Sequence, residues 1–273
     1  MSNQANTNQT VLLQIDEAGI ATLTLNDPHS LNALSNDMMQ ALRAQVERVV
    51  ADANVKVIVL QGACGHFMSG GNIKEFSQQL SLPGKDRLAL THAMITQWIN
   101  PTVLALRNTH QPVIAKVQGA CAGFGLSLML SADLAVADDS ARFSTAYTRI
   151  GLSPDGGATH FLAARLGPLR AAQLFMMAER FDAEQAHDMG LLNKVVPAGM
   201  LDLEVAQLAQ HLAQGARHAY GEIKRLLNAA PLNTLATQLE AEADAFSRCS
   251  ATNDYAEGIQ SFLQKRRPRF EGR

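Results

Sequence analysis

Three places in the chain combine residue types and spacing that can do chemistry. Two Gly-containing turns follow apolar runs: Ser69-Gly70-Gly71-Asn72 comes after Val55-Lys56-Val57-Ile58-Val59-Leu60, and Gly119-Ala120-Cys121-Ala122-Gly123-Phe124-Gly125 comes after Val113-Ile114-Ala115-Lys116-Val117. Small residues at a strand-to-helix junction let backbone N–H groups come close to a ligand. The N–H of Gly71 and that of Phe124, one of them at a helix start, are donors that such turns can offer to an oxyanion. The same glycines also serve two ordinary tight turns, and neither junction is a GxxxxGK(S/T) phosphate loop or a GxGxxG fingerprint. The third place is Asp155, in Ser153-Pro154-Asp155-Gly156-Gly157. A carboxylate there is either a base or the N-cap of the following helix, where it would be ionised and unreactive.

The elements that must position these groups alternate along the chain. Val11–Ile15 and Ile20–Leu25 read as strands joined by a turn at Glu17-Ala18-Gly19. Ser35 caps a predicted helix over Asn36–Ala51, with Asp37 in its first turn. Strands follow at Val55–Leu60 and Val113–Val117, with a single helical stretch over Arg87–Arg107 between them. A helix over Leu126–Ser131, a strand at Leu134–Ala137 and Arg142-Phe143-Ser144 come next, then a helix from the Asp155 turn to about Leu166. Beyond Val196-Pro197 the pattern is helical to the end, with amphipathic stretches at Leu201–Gln214, His218–Ala229 and Leu235–Ser247. The reading is an α/β core over residues 1–197 and a C-terminal helical region over 198–273.

Composition narrows the class. The chain has 273 residues, 47% hydrophobic and 18% charged, with a net charge of −2. That is globular composition with no global basic field for nucleic acid. Three cysteines, Cys64, Cys121 and Cys249, make neither a disulfide framework nor a zinc knuckle. The polar first ten residues lack a signal-peptide pattern, and no window meets the ~20 apolar residues of a membrane span. The expectation is a cytoplasmic protein with no membrane, nucleic-acid or metal partner.

Phe67-Met68-Ser69-Gly70-Gly71-Asn72-Ile73-Lys74-Glu75 resembles the first signature of the crotonase superfamily (the enoyl-CoA hydratase/isomerase family), and Gln118–Leu128 resembles the second. Leu31-Asn32-Ala33-Leu34, Gly190-Leu191-Leu192, Val195-Val196, Glu257-Gly258 and Phe262–Arg266 match in order as well. The resemblance implies an α/β, ClpP-like spiral of repeated ββα units, homotrimers or hexamers, and acyl-CoA thioester substrates with coenzyme A as part of the substrate and no separate cofactor. The C-terminal helical region would then serve trimerisation and cover the CoA pocket. By the resemblance, Gly71 and Phe124 form the oxyanion hole, and Ala33, Ser69, Gly70, Asn72, Ile73, Gly123 and Tyr147 line the substrate pocket. Asn72 stands where the first signature usually has Asp.

Hydratases of this family carry two glutamates, and this chain has Ser127 and Tyr147 at those positions. Asp155, eight residues after Tyr147, stands where several double-bond isomerases have their acid, including those resembling the ring-opening isomerase of phenylacetate breakdown. The expected activity is a Δ3-to-Δ2 enoyl-CoA isomerase, or one acting on a related ring-containing acyl-CoA, with Asp155 as proton shuttle. The alternatives are a dehalogenase or hydrolase with Asp155 as nucleophile, a hydratase, and a non-catalytic CoA-binding or assembly protein. An apolar wall of Phe67, Met68, Phe124, Tyr147 and Leu152 would raise the proton affinity of Asp155, and a helix start at Gly156 would lower it. His66, His92, Trp98 and Arg149 are further pocket candidates, each with a packing or solvated alternative. The run Lys265-Arg266-Arg267-Pro268-Arg269 either pairs with CoA phosphates or is a solvated tail.

Overall fold

The computed structural model describes residues 9–272, so most of the polar N-terminal stretch lies outside the described residues. The strands are β1 Val11–Ile15, β2 Ile20–Leu25, β3 Val57–Gly62, β4 Val113–Val117, β5 Ala120–Ala122, β6 Leu134–Asp138, β7 Arg142–Ser144, β8 Phe181–Asp182 and β9 Lys194–Val196. The α-helices are α1 Asn36–Ala51, α2 Ile73–Gln78, α3 Gly84–Met94, α4 Asn100–Asn108, α5 Phe124–Ser131 and α6 Ala158–Met177, then α7 Ala183–Asp188, α8 Leu201–Ala213, α9 Arg217–Ala229, α10 Leu235–Ser250 and α11 Asn253–Leu263.

One sheet has the order β1-β2-β3-β4-β6-β9. Its first pair is antiparallel and the rest are parallel, each return made through helical crossovers. A second sheet, β5-β7-β8, is built from the short strands β5 and β7 that follow β4 and β6, with β8 after α6. This is the crotonase architecture expected from the sequence. β3 reads Val-Ile-Val-Leu with all four buried, as a parallel strand covered on both faces must be. On one face the main core gathers α1, through Met38, Leu42, Val46 and Val49, and α5. On the other, Leu201, Val205, Ala209 and Ala213 of α8 pack on Val57, Val59, Ile114 and Val136. The first helix after residue 197 thus completes the sheet sandwich.

Local chemistry explains most element ends. The Ser35 hydroxyl accepts the Met38 N–H at 3.1 Å and starts α1. The strand expected from Val55 begins at Val57, because Val55 N–H closes a turn on Asp52 O. The single helix expected over Arg87–Arg107 is α3 and α4 joined by a π-turn at Ile95–Ile99. Pro101 cannot donate to the carbonyl one turn earlier, and the Arg43 guanidinium donates to that Gln97 carbonyl instead. α6 is interrupted at Gly167 (φ 74°), one residue past its expected end at Leu166, and resumes at Pro168. A fourth C-terminal helix, α11, follows the three expected stretches, and residues 264–272 lie beyond it.

A buried cation ties the C-terminal helices to this core. Lys224 of α9 is 6% exposed and donates to Leu106 O at 2.7 Å and Gln111 O at 3.2 Å. Its ammonium also lies 2.7 Å from Asp133 Oδ2. Burial pulls the Lys224 pKa down, and Asp133 pushes back. Two carbonyls and a carboxylate are what a buried ammonium requires. Lys224→Ala strands these acceptors and is expected to cost about 3 kcal/mol. Denaturant unfolding at fixed protein concentration checks it, and an unchanged midpoint would show that the anchor is idle.

Candidate active site

The two Gly-containing turns are stitched together by backbone. Phe67 N–H donates to Gln118 O, Met68 N–H to Ala120 O and Ala122 N–H to Met68 O, each at 2.9 Å. On its other side Leu34 pairs with Gly71, through Leu34 N–H to Gly70 O at 2.7 Å and Asn72 N–H to Leu34 O at 3.1 Å. The turns touch at their glycines: a Cβ on Gly123 would lie 3.3 Å from Gly70 Cα. Both have positive φ, 107° at Gly70 and 53° at Gly123, so glycine is required twice over. A Cβ on Gly125 would stand 2.5 Å from Met68 O, closer than contact allows. Gly71 and Phe124 directly follow the two touching glycines. Phe124 opens α5, all of whose residues are buried, so its N–H is one of the first-turn donors with no partner inside the helix.

Asp155 joins the same place from the other side. A Cβ on Gly156 would lie 2.7 Å from the Phe124 ring, so the Asp155 turn rests on Phe124. The Tyr147 hydroxyl donates to Asp155 Oδ1 at 2.8 Å. Ser127 Oγ lies 2.8 Å from the Tyr147 hydroxyl and donates to the Asp155 carbonyl at 3.0 Å. The two positions where the resemblance expects glutamates are therefore hydrogen-bonded to each other and to Asp155. Burial raises the Asp155 pKa, and the Tyr147 hydrogen bond offsets only part of it. Among the described residues no cation or second carboxylate acts on it. The carboxylate does not cap α6. The N-cap is Gly157, and the Asp155 carbonyl receives the Ala158 N–H at 3.1 Å.

Tyr147 is itself held under strain. Ala146 before it adopts a left-handed φ of 59°. The flanking segment is pinned to the end of α6 by Thr145 Oγ1 to Leu174 O at 2.8 Å and Thr148 Oγ1 to Phe175 O at 3.1 Å.

The remaining candidates divide. Ala33, Gly70, Gly71, Gly123, Phe124, Tyr147 and Asp155 cluster around the turns. Ile73 stands 56% exposed at the start of α2. Asn72 spends its side-chain oxygen capping α2, on the N–H groups of Lys74 and Glu75. Ser69 Oγ donates to Ser30 O at 3.0 Å. Phe67 and Met68 are fully buried core residues and Leu152 is 44% exposed, so the wall expected around Asp155 is supplied by Phe124 and Tyr147. The helix expected at Gly156 begins at Ala158. His66 Nδ1 accepts the Ala120 N–H at 3.1 Å, a structural bond. His92 is exposed, Trp98 stacks under Arg43, and Arg149 donates to Ala178 O at the C-terminus of α6 at 2.6 Å. In the basic run, Arg266 is forked onto Glu257, and the Arg266 and Arg269 contacts hold the Glu257 pKa down at about 2. Arg267 and Arg269 line a cavity of about 880 Å³ with Asn253 and Asp254.

Residues 16–273 match the family model described as Enoyl-CoA hydratase/isomerase. The chain belongs to the enoyl-CoA hydratase/isomerase family. It is 36% identical to the 1,2-epoxyphenylacetyl-CoA isomerase of Escherichia coli (strain K12), covering 94% of this chain and 97% of that protein. The 2,3-dehydroadipyl-CoA hydratase of the same organism is 33% identical over 93% of this chain and 96% of that protein. The crystal structure of an enoyl-CoA hydratase from Polaromonas sp. JS666 superposes with a TM-score of 0.87 at 34% identity, covering 96% and 99% of the two chains. Isomerase and hydratase names thus occur at similar distances, and the family alone does not choose between the reactions.

The site holds a half-buried carboxyl bonded by the Tyr147 hydroxyl, with Ser127 bonded to Tyr147 and to the Asp155 backbone carbonyl. Ser127, which the sequence marks only as standing in place of a glutamate, joins Asp155 through the fold. Its contact with Asp155 spans 28 residues and is created only when α5 packs beside the Tyr147 segment. A raised carboxyl pKa makes the folded state bind its proton more tightly than the unfolded chain. Folding stability then falls as pH rises from the unfolded value through the raised one. Asp155→Asn removes the charge and keeps the shape. It is expected to raise Tm at pH 7 by about 2–4 °C, the equivalent of about 1 kcal/mol, with the gain vanishing at pH below ~3.9. Thermal melts across pH check it, and a variant that melts lower at pH 7 would contradict the burial penalty.

Proposed function

We propose that the chain is an acyl-CoA double-bond isomerase, moving a double bond from the 3,4 to the 2,3 position of an enoyl-CoA or a related ring-containing acyl-CoA. The observation that carries this reading is the single carboxyl at the site, Asp155, with hydroxyls at the two positions where hydratases carry glutamates. Hydration needs one group to activate water and another to manage the proton at the α-carbon. A 1,3-proton shift needs one base, used twice.

In this mechanism Asp155 removes the proton from C2, and the C–H electron pair moves into the thioester to give a dienolate. The negative oxygen sits between the N–H groups of Gly71 and Phe124, the second aided by the start of α5. Each such donor is worth about 3 kcal/mol of transition-state stabilisation. C4 then takes the proton back from Asp155, the electrons return through C3, and the 2-enoyl thioester leaves. The raised Asp155 pKa makes the carboxylate a stronger base than an exposed one.

The family's oligomeric habit suits the outer face of the C-terminal helices. Phe246 of α10 is 74% exposed and Phe262 of α11 is 83% exposed. A homotrimer or hexamer covers this face in our reading, and sedimentation of the purified protein checks this against a monomer. The three unpaired cysteines suit the reducing cytoplasm.

The central test offers 3-enoyl-CoA and 2-enoyl-CoA in deuterated water. Conversion to the 2-enoyl thioester without hydroxyacyl product is expected, with kcat falling about 10²–10⁴-fold in Asp155→Asn while thioester binding persists. The wild-type kcat should fall as pH drops through the raised Asp155 pKa, so its acid limb lies above ~3.9. Accumulation of 3-hydroxyacyl-CoA would establish the hydratase instead. A covalent adduct on Asp155 would establish a nucleophile.

A further inference from the structure

Three contacts at the acid need three hydrogens, and the two hydroxyls bring only two. Tyr147 Oη lies 2.8 Å from Asp155 Oδ1, Ser127 Oγ lies 2.8 Å from Tyr147 Oη, and Ser127 Oγ lies 3.0 Å from the Asp155 carbonyl oxygen. Tyrosine and serine each supply one O–H and can each accept. When Asp155 is ionised, Tyr147 donates to the carboxylate and Ser127 donates either to Tyr147 or to the carbonyl. One contact is left without a hydrogen. When Asp155 carries a proton on Oδ1, the circuit closes: the acid donates to Tyr147, Tyr147 to Ser127, and Ser127 to the carbonyl. That carbonyl is fixed by the Ala158 N–H at the start of α6.

We propose that Ser127 and Tyr147 are positioning residues that form a hydrogen switch, giving Asp155 a bonded partner both as carboxylate and as acid. The inference rests on the reading of Asp155 as the proton carrier. A shuttle that takes a proton and returns it must not let its carboxyl turn away in between, and the switch holds the carboxyl in both states. No proton enters or leaves the dyad: the two hydroxyl hydrogens only change partners. Burial, with the Asp155 charge next, pushes the Tyr147 pKa well above its usual range, so the phenol stays neutral throughout. The groups facing Asp155 are Tyr147, Ser127 of α5, the Phe124 ring and its own backbone N–H, which also lies against the Tyr147 hydroxyl, and no other charge acts on it among the described residues.

The switch makes opposite demands of its two members. Tyr147→Phe removes the side-chain donor to the carboxylate, so the proton affinity of Asp155 rises. Ser127→Ala removes the alternative acceptor for the Tyr147 hydrogen, so the protonated state loses its partner and the affinity falls. Each change is expected to be about one pH unit, roughly ten-fold in proton affinity. A merely structural loosening would admit water in both variants and move both downward, toward an exposed carboxyl.

The readout is the infrared carboxylic-acid band of Asp155, defined as the band missing from Asp155→Asn and titrated on unliganded protein. The expected result is an upward midpoint in Tyr147→Phe, a downward one in Ser127→Ala, and no effect of Ser127→Ala in the Tyr147→Phe background. A downward midpoint in Tyr147→Phe overturns the switch, as does a Ser127→Ala shift of the same size in both backgrounds or no shift in either variant. Should Ser127→Ala fail to fold, the direction of the Tyr147→Phe midpoint still decides. The band titrates whether or not the protein moves double bonds, so an inactive wild type would overturn the isomerase reading alone.

Discussion

The close approach of two backbone turns is the constraint on which the site depends. A Cβ built on Gly123 would lie 3.3 Å from Gly70 Cα, tighter than an ordinary contact, and both residues hold a positive φ that side chains rarely adopt. The pairing that holds them there is ordinary: three bonds of 2.9 Å between the segments around Met68 and Cys121. Everything else is arranged around that seam. β3 and β4 deliver the two turns side by side because the strands are adjacent and parallel, so both chains emerge at the same end of the sheet. α5 runs away from the seam into the core with every residue buried, which aims its free first-turn N–H groups outward. A site made of backbone donors needs no particular side chain at those positions, only chains that can come close.

A seam of backbone donors can stabilise negative charge but moves no proton. In the proposed reaction one carboxyl adds the second function, and the energetics of burying it run against stability. Asp155 is partly desolvated with no cation to compensate, which raises its proton affinity. Neutral hydroxyls hold it. An arginine at the same place would lower the pKa and make the carboxylate a poorer base. The strain at Ala146, φ 59°, fits the same pattern. The backbone bends unfavourably just where Tyr147 must enter, and the Thr145 and Thr148 bonds to the end of α6 keep it there. The ion-paired cluster at Lys224 shows the opposite design: a buried charge fully partnered, serving only to fasten α9.

Much of this was legible in the residues. The parallel strands read as unbroken apolar runs, and the Ser35 cap and first-turn Asp37 located α1. The signature segments located both turns, because the glycines there are demanded by backbone geometry, and geometry of that kind leaves a fixed spacing. Asp155 was visible as a carboxylate in a turn, with its N-cap alternative open. Composition could not separate the two, since a cap and a base share the same sequence neighbourhood. The structure separates them by giving the α6 cap to Gly157. The π-turn in the α3–α4 stretch was hidden because its cause is tertiary: Arg43 takes the carbonyl that Pro101 leaves without a donor. Ser127 was marked only as standing in place of a glutamate, and its contacts were hidden for a similar reason. In sequence it is a small residue inside an apolar helix, and only packing reveals that its hydroxyl meets Tyr147.

That last contact bears on how one scaffold serves different reactions. In the reading proposed above, a hydratase needs two groups to divide the proton transfers, one at the water and one at the α-carbon. Serine and tyrosine at positions 127 and 147 cannot divide roles, since neither gives up its proton in the neutral range. They can only relay direction: which way a hydrogen points. The carboxyl is then displaced to position 155, across the Phe124 ring from the donor turns, and remains the sole group able to change charge among those in contact there. In the proposed reaction, a pair of hydroxyls in place of a pair of acids leaves a single proton-transfer agent, used twice. The backbone seam, proposed to hold the developing charge on the thioester oxygen, has no need to change between the two.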